Sequence, residues 1–242
     1  MSDLGKDSWD CHGLVKEPAP LQMVVLDAMG VICTSGDDVA DLLIPFARKH
    51  SCQLSDADIT SLYRQCSLGR YSSGALWQRL GLKGNPDELD ESYLQQHTLM
   101  PGLRSFLHTL RTWDLPIACL SNDVAEWSRR LRKIHDLEGV IASWIISGEV
   151  GIRKPDPGIY EYGLSTLQFP AQACLFLDDR LPNLEAARSL GFRTAWFQPG
   201  ASVSNSSPHP LLTSFREVER WLREGDESNH AERTNLSLDG PR

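Results

Sequence analysis

Long apolar runs are missing from this sequence, and so is any surplus of positive charge. No stretch approaches the roughly 18 consecutive apolar residues of a membrane-spanning helix, so no bilayer span is expected. Residues 1–20 have no basic start and no apolar core, and are not expected to act as a secretory signal. The formal net charge is −8, whereas nucleic-acid binders usually carry a basic stripe. The one basic cluster, Arg129-Arg130-Leu131-Arg132-Lys133, reads as the solvated face of a helix. Cysteine is sparse. Six residues, Cys11, Cys33, Cys52, Cys66, Cys119 and Cys174, include no Cys-x-x-Cys pair. That argues against a zinc site or a disulfide framework, and for reduced thiols in a cytoplasmic protein. No internal repeat is evident.

What is present is enough apolar material for a sizeable core. The 242 residues are 41% hydrophobic and 23% charged, which suits one large domain or a core with a smaller insertion. Strand-like and helix-like segments alternate. Strands are expected at 22–27, 116–121, 140–147, 173–179 and 192–198, each followed by an amphipathic helix. This order implies βαβ units and a Rossmann-like parallel sheet, an α/β fold. Residues 36–100 interrupt it. They contain no convincing strand and four helical segments, which read as an inserted α-helical cap. The expected organisation is a disordered segment 1–20, a core of 21–35 and 101–224, a cap of 36–100 and a disordered tail 225–242.

Ligands of open parallel sheets bind beyond the carboxyl ends of the strands. There the sequence places Asp27, then Ser121-Asn122, then Asp178-Asp179, with Lys154 in the segment Gly-Ile-Arg-Lys-Pro-Asp-Pro just before a helix. Taken singly, each is ordinary turn or cap chemistry. Together, three carboxylates would repel one another or take up protons unless cations are present. One lysine supplies a single charge. A hard divalent ion with oxygen ligands, magnesium, suits the remainder. A lysine, a metal, a hydroxyl and backbone amides can bind a phosphate dianion, and Asp27 becomes a candidate nucleophile.

The pattern resembles the haloacid dehalogenase superfamily. Its four motifs are matched by Leu-Asp-Ala-Met-Gly-Val around Asp27, by Leu-Ser-Asn at 120–122, by the segment holding Lys154, and by Leu-Phe-Leu-Asp-Asp-Arg-Leu-Pro-Asn at 175–183. The insertion between Asp27 and Ser121 resembles the helical cap of that superfamily's first subclass. The paired acids, followed by Asn183, look more like the phosphatase members than the dehalogenases, which generally lack the paired acid and work without metal. The resemblance implies Asp27 as nucleophile and magnesium ligand. It makes the Met29 backbone carbonyl and Asp179, with Asp178 beside it, further ligands. It gives Ser121 and Lys154, helped by Asn122, the phosphoryl group, and Asn183 a supporting place. The substrate it implies is a small phosphorylated metabolite, with no nucleic acid or membrane as partner. Lys49, Arg64, Arg70, Tyr71 and Trp77 are cap residues that could face the substrate, although each also reads as packing or surface, and Trp77 as cap core.

One position departs from the phosphatase pattern. Met29 stands where most members have an aspartate that protonates the leaving alcohol and then activates water. General acid–base catalysis is typically worth roughly 10²–10⁴-fold. Three readings stay open. A proton could come from water or from another residue, as in the glucose-1-phosphatase-like relatives, which lack an acid here. Asp123 is one conceivable substitute, although a helix N-cap reads better. Alternatively the reaction breaks a carbon–halogen bond, which needs no proton, or the site is degenerate and only binds a phosphometabolite or a protein. Met29→Asp is the direct test. It should raise turnover of alkyl phosphates; no gain in a folded variant that still binds magnesium would place acid–base work on another side chain.

Overall fold

A computed structural model describes residues 20–201 and 207–224. The segments expected to be disordered, residue 20 apart, lie outside the described residues. Six parallel strands form one sheet in the order β3-β2-β1-β4-β5-β6: β1 Met23–Leu26, β2 Ile117–Ser121, β3 Ser143–Ile146, β4 Cys174–Asp178, β5 Arg193–Phe197 and β6 Leu211–Leu212. β1 is central. Val24 lies opposite Ile117 on one side and Leu175 on the other. β1, β2 and β4 contain only buried residues, as expected of strands covered on both faces. Side chains alternate between the two layers. Val24 and Leu26 enter one apolar cluster, and Met23 and Val25 the other.

Between β1 and β2 the chain makes a helical block: α1 Ile44–Lys49, α2 Asp56–Cys66, α3 Ser73–Arg79 and α4 Pro86–Leu94. Local chemistry sets their starts. Ser55, Ser72 and Asn85 accept backbone N–H bonds as N-caps of α2, α3 and α4, and Pro86 occupies the first turn, where no N–H is needed. The segment expected as one helix over 37–50 begins instead with a π-helical turn, Val39–Leu43, before α1. Pro45 has no N–H for the i−4 carbonyl, and the Ile44 N–H bonds to the Val39 carbonyl five residues back.

The remaining helices alternate with strands: α5 Leu103–Thr112, α6 Ala125–Ile134, α7 Ser147–Val150, α8 Pro157–Leu167, α9 Leu181–Ser189 and α10 Phe215–Glu224. The basic cluster lies on α6, where Arg129 pairs with Glu149, and Arg130 with Asp87. Two expectations need correcting. The strand expected over 140–147 forms only at Ser143–Ile146. Residues 211–224, expected as one helix, start with the short edge strand β6, paired to β5 through Trp196 and Leu211. There Glu217 accepts the Thr213 N–H at 2.6 Å and its own N–H reaches Ser214 Oγ, which fixes the helix start after β6. The described cysteines, Cys33, Cys52, Cys66, Cys119 and Cys174, are all buried and free.

One carboxylate ties the helical block to the core. Asp90 on α4 is 2% exposed. Its Oδ1 accepts from the indole nitrogens of Trp77 on α3 (2.8 Å) and Trp127 on α6 (2.6 Å), and its Oδ2 from Ser73 Oγ (2.7 Å). Around it Trp127 packs against Trp77 at 5.3 Å and Tyr93 at 4.6 Å. Trp77 is therefore core of the block. Asp90→Ala strands three buried donors, each worth about 1–3 kcal/mol. Urea denaturation should show a loss of roughly 3 kcal/mol or more, and a midpoint within error of the parent would mean that the junction does not depend on Asp90.

Candidate active site

The chain crosses from β3 to β4 past the central strand, so a crevice opens at the carboxyl ends of β1, β2 and β4. Leu26 is level with Cys119 and Leu177. The residues that follow, Asp27, Ser121 with Asn122, and Asp178 with Asp179, therefore rise at one place. Lys154 comes in from the loop between α7 and α8 and joins them. Its ammonium donates to Asp27 Oδ1 at 2.7 Å, to Asp178 Oδ2 at 2.8 Å and to the Leu120 carbonyl at 2.8 Å. All three of its protons are spent, in a side chain only 1% exposed.

The neighbours hold this group in place. Asn122 forms a closed pair with the Lys154 backbone: its Oδ1 accepts the Lys154 N–H at 2.8 Å, and its Nδ2 donates to the Lys154 carbonyl at 2.9 Å. Asn122 had been placed at the phosphate; the structure spends its amide on positioning Lys154. Asn183 donates to both oxygens of Asp178 at 3.0 Å, and the Arg180 N–H adds 2.8 Å to Asp178 Oδ1. At this site two buried side-chain atoms have no hydrogen-bond partner among the described residues, Ser121 Oγ and Asp179 Oδ1. The Asp179 backbone carbonyl is clamped by Trp196 and Gln198 at 2.9 and 2.8 Å, so its unpaired side-chain oxygen belongs to an otherwise fixed residue.

The charges are poorly balanced. Burial pushes the Asp27 carboxyl up to about 8; Lys154 opposes the shift, and Asp178 and Asp179 add to it. Burial and Asp178 raise Asp179 to about 6. Burial disfavours the Lys154 ammonium, but Asp178 and Asp27 more than offset it and hold it above its ordinary value. Oxygens of Asp27, Asp178 and Asp179 lie within 4.8 Å of one another. A hard cation with oxygen ligands fits this trio: it would answer the excess negative charge and the orphaned Asp179 oxygen. Asp27 and Asp179 have capacity left for it, and so has the Met29 carbonyl, which accepts no backbone bond among the described residues. Asp178 is within reach, but its oxygens already serve Lys154, Asn183 and Arg180.

The crevice widens into a cavity of about 1060 Å³ between the strand ends and the helical block. Of the block residues proposed as substrate-facing, only Arg64 lines it. Trp77 is buried, Tyr71 donates to the Leu62 carbonyl, and Lys49 and Arg70 are exposed elsewhere. Asp38, Tyr63, Arg153 and Arg180 line it too, and sequence reasoning missed them. Arg153 and Arg180 sit beside motif residues already singled out, which was the available signal. Asp123 is not the N-cap of α6. That residue is Val124, and Asp123, one position earlier, is buried and accepts the Val124 N–H at 2.7 Å.

Residues 21–191 match the family model of haloacid dehalogenase-like hydrolases. This chain belongs to that family. It is 30% identical over 135 residues to a glyceraldehyde 3-phosphate phosphatase of Pyrococcus abyssi, across 52% of this chain and 56% of the relative. It is also 30% identical over 130 residues to an (S)-2-haloacid dehalogenase of a Pseudomonas strain, across 49% and 57%. The match thus spans little more than half the length of these relatives. A crystal structure of a HAD phosphatase from Thermococcus onnurineus superposes with a TM-score of 0.66 at 17% identity, over 84% of this chain and 98% of that one, which is agreement of fold. No helix among the described residues is long and apolar enough to cross a membrane.

Two glycines leave room for Asp179. A Cβ at Gly36 would lie 2.6 Å from Asp179 Oδ2, and one at Gly30, where φ is +84°, would also collide with that carboxylate. Gly36 has no positive φ, so Gly36→Ala acts through contact alone. It should displace the carboxylate and, if the trio holds magnesium, weaken that binding by roughly 10–100-fold, the usual effect of disturbing a ligand's support. Calorimetric titration with magnesium reads this out, and an unchanged Kd would remove Asp179 from the ligand set.

Proposed function

We propose that this hydrolase is a magnesium-dependent phosphatase of a small phosphorylated metabolite, working through an aspartyl phosphate on Asp27. One observation carries the reading. A nucleophile-ready carboxylate is fixed by Lys154, beside a second acid, Asp179, whose buried oxygen has no partner. Displacing halide from carbon gives such an acid nothing to do, whereas phosphoryl transfer requires a cation against the charge of the phosphate. The match to a phosphatase supports this choice.

The chain's own groups divide the work. Lys154 holds Asp27 by Oδ1 and leaves Oδ2 to attack phosphorus. Ser121 Oγ, buried and unpartnered, donates to a phosphoryl oxygen. Asp178, held by Asn183 and the Arg180 N–H, keeps the ammonium in place. Asp27, Asp179 and the Met29 carbonyl, with Asp178 beside them, would hold magnesium, which would supply charge neutralisation. The helical block acts as a cap that closes over a small ligand and excludes water.

Met29 favours a second reading, carbon–halogen displacement by Asp27, because that step needs no acid. One experiment separates the two. Purified protein receives a panel of phosphate monoesters and 2-haloacids, with and without EDTA, beside Asp27→Asn. Phosphate release that needs both magnesium and Asp27 is expected. Halide release that ignores EDTA would establish the dehalogenase instead.

A further inference from the structure

We propose that Asp38 takes the place of the acid missing at position 29, giving a proton to the leaving oxygen and later taking one from the attacking water. This rests on the phosphatase reading and supplies the residue that reading lacks. Asp38 lines the same cavity as Asp27 and Met29, yet is only 6% exposed. An aspartate at a helix start usually caps it. Here Asp37 does that, accepting the Ala40 N–H at 3.1 Å, and Asp38 makes no capping bond. One Asp38 oxygen accepts from the Tyr63 hydroxyl at 3.3 Å, and that hydroxyl also reaches the Asn122 carbonyl at 3.1 Å. A single hydroxyl hydrogen serves one of them fully. When it turns to Asn122, Asp38 can carry its own proton.

The surroundings favour a proton there. Burial raises Asp38 most. Tyr63 opposes it, the neighbouring Asp37 adds to it, and Arg180 and Arg153 oppose it, leaving the carboxyl at about 6. A carboxyl with that value can both give and take a proton near neutrality. Asp123, also buried, does not line the cavity, and its Oδ1 is committed to the Val124 N–H.

The steps balance. Asp27 Oδ2 forms a bond to phosphorus as the ester P–O bond breaks. The electron pair of that bond stays on the leaving oxygen, which takes the proton of Asp38 and departs as the alcohol. Water then attacks the phosphorus of the aspartyl phosphate and gives one proton to the Asp38 carboxylate. The bond between phosphorus and Asp27 breaks, the pair returns to the carboxylate, inorganic phosphate leaves, and Asp38 is protonated again.

The test compares phenyl phosphate, whose leaving group needs a proton, with p-nitrophenyl phosphate, whose leaving group departs as a stable anion. Asp38→Asn keeps the shape and an acceptor for Tyr63, and circular dichroism checks its fold. Its kcat/KM for phenyl phosphate should fall roughly 10²-fold or more, with a loss at least ten-fold smaller for p-nitrophenyl phosphate and a burst of p-nitrophenol as the second step stalls. Equal losses on both esters would overturn the proposal and leave Asp38 a binding residue. A wild type whose kcat/KM already falls steeply as the leaving group becomes more basic, across a series of aryl phosphates, would overturn it too, and that measurement needs no variant. Turnover that survives in Asp27→Asn would instead defeat the phosphatase reading itself. This replaces the expectation drawn from the sequence that Met29→Asp raises turnover: with Asp38 handling the proton, no gain is expected, and a gain would overturn the proposal.

Discussion

A buried ammonium between two buried carboxylates sets where the strand ends of this protein can lie. Lys154 reaches Asp27 after β1 and Asp178 at the end of β4, and its third proton reaches the Leu120 carbonyl on β2. Three neighbouring strands are thus gathered around one nitrogen. Removing such charges from water is costly, and the geometry must be good enough to offset it. Here no proton of the lysine is wasted, and the second carboxylate is braced again by Asn183 and the Arg180 N–H. Loss of the lysine would leave two acids side by side in a low-dielectric pocket. Everything else at the site, from the Asn122 clasp on the Lys154 backbone to the spare oxygen of Asp179, is arranged around that nitrogen.

A parallel sheet makes such gathering legible in a sequence. Each strand delivers its last residue to the same edge, so Asp27, Ser121 and Asp178-Asp179 could be read as one group before any coordinates. Lys154 followed because the pocket needed positive charge. The helical block was legible as helices, through apolar spacing and the Ser or Asp residues that open two of its segments. Which of its residues face the cavity was not. Trp77 was legible as core from its apolar spacing, but Arg64, which lines the cavity, could not be told from Lys49, Arg70 and Tyr71, which do not. Tertiary packing decides that, and helical periodicity does not report it. Asp38 was hidden for another reason: an Asp-Asp pair at a helix start looks like capping, and only the backbone shows that Asp37 alone does it. The edge strand β6 was missed because two leucines before an amphipathic helix fit that helix equally well.

The division of labour between the two parts of the chain follows from this placement. The groups proposed to bind phosphate and the cation come from strand ends. The group proposed to handle the proton stands at the entry to the helical block, linked to the end of β2 through the Tyr63 hydroxyl, which reaches both Asp38 and the Asn122 carbonyl. Chemistry then completes only with the block seated, which ties turnover to substrate fit without any change in the nucleophile. Arg180 strengthens the link, because its guanidinium donates to the Gly36 carbonyl in the loop that leads into the block.

The junction at Asp90 has a consequence of a different kind. Trp77 belongs to the helical block and Trp127 to the core, and both indoles bond to one carboxylate oxygen with their rings 5.3 Å apart. Separation of the two parts would pull the rings from each other and wet both at once. The molecule therefore carries an optical gauge: with its other tryptophans replaced by phenylalanine, the emission of these two indoles would report how firmly the block sits on the core.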